Sequence, residues 1–320
     1  MLSLGLNMAA GSVMQSSALL LLDEFTSAAA AYSLRKLRAD YTGKVVKLRR
    51  ESDHVEVDVS FDINGVLSLD STVTNVVEAS TGVTPSATTT AASKLGEFVG
   101  EARRSGGDSS YSVVDSMTES VNVAVVTWYD QSGNSDDVSQ AAATAQPSIY
   151  DRSSGLVLEN GKPAVYFNDN TKQLAKTSGW GGSNILTCDF LNVHRRASGS
   201  GFPLFYYNGL FQVIHYLSSS YKMGWGGPTV GPSTDTDQHL FYGIASNTVG
   251  QIILDGTAST AGTLSGSRHF SGAFAFQGRP GNPGSYAAPE IYHQEFVQWD
   301  RNQTDRTGIE TNINTFYSIY

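Results

Sequence analysis

The densest polar cluster in the chain comes where a β-branched run stops. Residues 121–128 (Val-Asn-Val-Ala-Val-Val-Thr-Trp) alternate as a buried strand does, and then give way to Asp130, Gln131, Ser132, Gly133 and Asn134. An Asp and a Gln ahead of a Gly-Asn turn can hydrogen-bond the turn backbone or a ligand, which makes Asp130 and Asn134 candidate glycan contacts as well as turn formers. Trp225 is the second candidate, set between glycines in Tyr221-Lys222-Met223-Gly224-Trp225-Gly226-Gly227. With Tyr221 it offers ring faces suited to stacking a sugar; the other reading is a core Trp in a glycine-kinked strand. Asp136 and Asp137 read as a solvated acidic turn in preference to a calcium loop, so no metal and no cofactor is expected.

Other catalytic templates find no match. The six histidines, His54, His194, His215, His239, His269 and His293, form neither an H-E-x-x-H pair nor any tight metal spacing. Neither a G-x-S-x-G elbow nor a phosphate-binding loop is present. Cys188 stands alone, which rules out an intrachain disulfide and a cysteine metal site, and predicts a buried, inert thiol. A net charge of −9 argues against a nucleic-acid partner. The basic residues clustered between Arg35 and Arg50 read as a solvated face or a contact for an acidic neighbour.

The elements that must position these groups are mostly strands. Thirty-two glycines, 16% charged residues and a succession of short apolar runs suit an all-β chain. Strands are predicted near 45–50, 54–61, 155–158, 164–167, 186–194, 203–207, 210–217, 221–225, 239–246, 251–254, 272–277 and 291–299. Helices are predicted over 28–38, where Ala30, Leu34, Leu37 and Tyr41 recur at helical spacing, and over 303–316, where Ile309, Ile313 and Phe316 form the buried face. Residues 1–22 carry no charged side chain. Their Leu2, Leu4, Leu6, Met8, Val13 and Met14 are expected to form an assembly arm docking on a neighbouring subunit, with no membrane insertion because the run is too short to span a bilayer. The expected division is an arm over 1–26 and one sandwich domain over 27–320.

Several blocks together resemble the catalytic domain of the α-L-arabinofuranosidase family and its laminin-G-like jelly-roll relatives in bacteriophage structural proteins. They are Thr127-Trp128-Tyr129-Asp130-Gln131-Ser132-Gly133-Asn134 with Gln140 and Gln146-Pro147, the stretch from Ala31 to Asp53, Asn160-Gly161-Lys162-Pro163-Ala164-Val165, and the closing strand and helix. The resemblance covers roughly residues 28–320 and implies a concanavalin/laminin-G-like jelly-roll β-sandwich with an N-terminal and a C-terminal helix.

A retaining glycosidase needs two carboxyl groups about 5–5.5 Å apart. The resemblance implies a nucleophilic Glu in a strand at the middle of the sandwich and an acidic Asp in a Gly-rich loop before the penultimate strand. This chain has no Glu between Glu159 and Glu290, and Gln277-Gly278-Arg279 stands nearest to the family's Gly-Gly-Asp. The family's adjacent cysteine pair is absent too. A rearranged pair drawn from Asp235 or Asp255 with Asp130 is the remaining route to catalysis. The expectation is therefore a non-enzymatic virion component, in a tail, fibre or capsid surface, with other virion proteins and itself as partners and host surface glycan as a ligand. The alternatives are a glycoside hydrolase of α-L-arabinofuranosidase type and a free carbohydrate-binding module.

Overall fold

The computed structural model describes residues 19–78, 92–180, 187–207, 211–217, 219–223, 229–246, 248–264, 272–284 and 289–320. The arm residues Leu2, Leu4, Leu6, Met8, Val13 and Met14, and Trp225, lie outside the described residues.

The first half of the chain supplies β1 (Ala30–Ser33), β2 (Val46–Arg50), β3 (Val55–Val59), β4 (Val73–Glu78), β5 (Val123–Trp128), β6 (Val138–Ser139), β7 (Ser148–Asp151), β8 (Gly155–Leu156), β9 (Leu158–Glu159), β10 (Lys162–Pro163) and β11 (Val165–Phe167). The second half supplies β12 (Leu174–Trp180), β13 (Thr187–Ser198), β14 (Gly201–Tyr207), β15 (Phe211–Leu217), β16 (Ser220–Met223), β17 (Thr229–Ser233), β18 (Gln238–Ser246), β19 (Val249–Leu254), β20 (Thr257–Ala258), β21 (Gly262–Thr263), β22 (Gly272–Phe276) and β23 (Glu290–Trp299). Helices are short: α1 (Leu21–Glu24), α2 (Leu95–Val99) and α3 (Arg306–Tyr317). No helix among the described residues is long and apolar enough to cross a membrane.

Antiparallel pairing builds an all-β jelly-roll sandwich. One layer runs β4, β3, β2, β5, β6, β12, β22, β14, β15, β16 and β17; the other runs β11 and β1 on one edge of β23, then β13, β18 and β19. Strand β7 pairs with both β5 and β11, joining the layers along one side. Between them Trp128, Phe167, Phe190, Phe241, Phe274, Phe276 and Phe296 pack with Tyr32 in the main core. The second layer is apolar on its other face as well. There Leu191, Val193, Leu240, Tyr242, Val297 and Trp299 receive Ile309, Ile313 and Tyr317 of α3. Strands buried on both faces are expected to read as continuous apolar runs; β18 does so, whereas β13 and β23 also bury Asp189, Asn192, His194, His293, Gln294, Glu295 and Gln298. Helix α3 opens on Asp305, whose carboxylate accepts the Gly308 N–H at 2.9 Å.

Two expectations about the N-terminal segment need correction. Residues 28–38 hold no helix; they contain β1, whose four residues are all buried and pair with Gln298 to Glu295 of β23. An alanine-rich run has helical propensity, but an open edge of β23 offers backbone partners and burial on two faces, and tertiary pairing wins. The helix near the N-terminus is α1, and its Leu21 and Leu22, with Phe25, pack in the core beneath α3. The apolar content of this stretch therefore belongs to the domain from Leu21 onward.

Candidate functional site

The polar turn after β5 is a clamp. Asp130 Oδ1 accepts the N–H groups of Ala31 and Ser132, each at 2.8 Å, and Oδ2 accepts the Ser132 hydroxyl at 2.6 Å and the Asp136 N–H at 3.1 Å. Gln131 accepts the Leu37 N–H and donates to the carbonyls of Ser33 and Arg35. Asn134 donates to the carbonyls of Ala28 at 3.1 Å and Ala29 at 2.8 Å. Asp130 and Asn134 thus both hold the β1 segment in place. Tyr221 lies elsewhere, 1% exposed, with its ring about 6 Å from those of His194, His239 and Phe241. The structure does not bring Tyr221 together with the turn residues.

Nor does Asp130 meet Asp235 or Asp255. Those two flank His239: Nε2 lies 2.6 Å from Asp235 Oδ1, and Nδ1 lies 2.6 Å from Asp255 Oδ2. Burial works against a charged imidazole, but hydrogen bonds to the two carboxylates outweigh it and raise the His239 pKa. Such a group stabilises the fold fully below the unfolded imidazole pKa of about 6.5, and the contribution is lost as pH rises through the higher folded value. Stability measured in urea from pH 6 to pH 9 is accordingly expected to decline in the native protein. His239→Gln should lower stability at pH 6 and flatten that decline; an unchanged slope would show that another group causes it.

At the place where the resembling family would carry its acid, Gln277 is 1% exposed at a φ of 69°. Gln173 donates to the carbonyls of Gln277 and Arg279 at 2.7 and 2.8 Å. That loop is fixed, and its Gln277-Gly278-Arg279 run contains no carboxylate.

A carboxylate pair does occur on β3. Val55, Val57 and Val59 enter the core, so Glu56 and Asp58 share the strand's other face with one residue between them; Glu56 is half-buried and Asp58 is buried, 7% exposed. Arg49 stands directly opposite Glu56, and Lys47 opposite Asp58. The pairing continues from Lys47 through Thr127, Ser139, Ala175 and Ala275, a row of small side chains across the outer face of the layer. The phenol of Tyr129 and the amide of Asn75 donate to Asp58 at 2.7 and 2.9 Å and fix its orientation. Burial raises the Glu56 pKa, and the Asp58 charge adds to the rise while Lys47 and Arg49 oppose it. A carboxyl whose pKa is raised beside a second carboxyl group is an arrangement suited to proton donation to a leaving group. The signal was in the sequence: the alternation that sends the three valines into the core also sets Glu56 and Asp58 together on the strand's opposite side.

No family model and no curated protein sequence matches the chain. Among solved structures, a GH54 α-L-arabinofuranosidase soaked with a cyclic sulfate inhibitor superposes with a TM-score of 0.59 at 15% identity, over 94% of this chain and 65% of its own. An arabinofuranosidase complexed with arabinofuranosyl-α-1,2-xylobiose gives a TM-score of 0.55 at 15% identity, over 94% of this chain and 64% of its own. The chain thus spans less than two thirds of the length of those enzymes. The likeness defines the fold as a glycosidase-like β-sandwich. It also overturns the expectation of a non-enzyme: these neighbours are enzymes, not virion components, and the missing Glu in the middle strands was too narrow a ground for excluding catalysis.

Proposed function

We propose that the chain is a carbohydrate-active enzyme of glycoside hydrolase type working on the outer face of the β3, β2, β5, β6 and β12 layer. The observation that carries this reading is the placement of Glu56 and Asp58 on one face of β3. Alternate residues of a strand lie about 6.5–7 Å apart at Cα, a backbone spacing from which two carboxyl side chains can reach the roughly 6.5–9.5 Å of an inverting pair. Glu56, with its raised pKa, is the proton donor to the glycosidic oxygen. Asp58 is the partner carboxylate that activates water or faces the developing positive charge on the sugar. Lys47 and Arg49 frame the pair. The nearby fold of arabinofuranosidases supports an α-L-arabinofuranoside as the first substrate to test.

Turnover of 4-nitrophenyl α-L-arabinofuranoside and a panel of other aryl glycosides checks the proposal. Glu56→Gln is expected to lower kcat roughly 10²–10⁴-fold with an unchanged melting temperature; Asp58→Asn should lower kcat as well, together with the melting temperature, because its buried carboxylate accepts from Tyr129 and Asn75. Activity should fall as pH rises through the Glu56 pKa, because the donor then loses its proton. Wild-type turnover in both variants, or none in the native protein on any of the glycosides, would refute it.

A further inference from the structure

A second feature sits on the opposite side of the joint made by β7. Tyr166 of β11 and Tyr292 of β23 are register partners whose rings stack at 4.2 Å between centroids, 6° from parallel. The Arg195 guanidinium covers the far face of Tyr292, 4.5 Å from its centroid, and is itself paired with Glu159. Tyr166 has Tyr292 on one side and, across the other strand boundary, Ser148. Side chains stand roughly perpendicular to a sheet, so the second face of the Tyr166 ring looks over Ser148, which is too short to cover it. That face walls a groove of about 710 Å³ whose polar lining includes Glu51, Asn122, Asp151, Asn168 and Lys172.

We infer that this groove is a saccharide-binding subsite with the Tyr166 face as its stacking wall, an inference that rests on the carbohydrate reading above and extends it to the substrate's length and charge. Amphipathic aromatic faces next to hydrogen-bonding groups suit a sugar ring, which has an apolar face and a polar rim. The lining carries two carboxylates, Glu51 and Asp151, against one cation, Lys172, and Glu290 lies at the Tyr166 hydroxyl. That balance disfavours uronic and sialic acids and selects a neutral sugar. From Glu56 the register passes through Arg49, Ala124 and Ser148 to Tyr166. Four strand spacings of about 4.8 Å make roughly 19 Å along the sheet. Arg49 and Ala124 between them are buried, with Arg49 bonded to Gln146 and the Ala143 carbonyl, so a ligand that engages both places must pass over that segment; one monosaccharide is too small to do so, and the ligand is an oligosaccharide or polymer.

The test is calorimetric binding of xylotetraose, cellotetraose, α-1,5-arabinotetraose and trigalacturonate to the full chain. At least one neutral tetrasaccharide should bind; Tyr166→Ala should weaken it roughly tenfold, and Tyr166→Trp should preserve it and show that the ring face is what matters. Glu56→Gln should still bind the tetrasaccharide, which separates this subsite from the catalytic proposal. Equal tetrasaccharide binding by native and Tyr166→Ala protein, binding of none of the neutral sugars, or a preference for trigalacturonate would overturn the inference.

Discussion

Replacing Trp128 with alanine is expected to destabilise the protein by about 3–5 kcal/mol. The residue is fully buried at the end of β5 and is among the largest side chains with no exposure. Its ring stacks on Phe276 at 5.2 Å and lies 6.1 Å from Tyr32. It therefore touches both layers of the sandwich, and its loss leaves a void between strands whose partners Val46 and Val138 are themselves pinned by pairing. Such a site collapses poorly, which puts the cost in the upper part of the range for large-to-small changes. Trp128→Phe should cost less. It keeps an aromatic ring and removes an indole N–H that has no hydrogen-bond partner among the described residues. Urea melts of the two variants check both statements, and a loss below about 1 kcal/mol for Trp128→Ala would show that the ring does not bridge the layers.

Much of the architecture was legible in the chain because strands announce themselves by period. The alternating run before Asp130, the valines of β3 and the segments of β13, β18 and β23 all became strands near the expected bounds. What misled was local signal without tertiary context. Residues 28–38 carry apolar side chains at a helical interval, and nothing in the sequence reveals that β23 has an edge to fill. Asp130 and Asn134 are a different case: the sequence pointed to a structural turn ahead of a glycan contact, although a turn that binds its own backbone looks the same in sequence as one that binds a ligand. The carboxylate pair was missed for a different reason. The family resemblance implies a Glu in the middle strands, whereas Glu56 and Asp58 sit on β3, and only strand pairing sets Asp58 in a row with Lys47, Thr127 and Ser139 and Glu56 beside Arg49. The Tyr166 and Tyr292 stack has no sequence signal, since it depends on the pairing of strands more than a hundred residues apart.

The same dependence on distant partners makes Glu295 the most sensitive polar residue, with Glu295→Ala expected to cost about 3–5 kcal/mol. Its carboxylate is fully buried on β23 and accepts Arg35 Nε at 2.8 Å, Arg35 Nη2 at 3.1 Å, the Ser33 hydroxyl at 2.8 Å and the Tyr317 hydroxyl at 3.1 Å. These bonds hold together the segment after β1, the end of α3 and the sheet. Burial alone would lower the Arg35 pKa, but Glu295 more than compensates, so the guanidinium stays charged. Removing the carboxylate strands that cation among buried groups, beneath the rings of Phe316 and Tyr317 at 4.8 and 5.7 Å. The penalty comes from the unpaired charge more than from the lost attraction, and that yields a sharper expectation. Arg35→Met combined with Glu295→Leu should recover most of the stability lost by Glu295→Ala, because replacing both members of a buried ion pair by apolar groups is often neutral or stabilising. If the double variant is instead as unstable as the single one, the network acts by fixing the position of α3 through Ser33 and Tyr317, and the Arg35 charge is not the source of the cost.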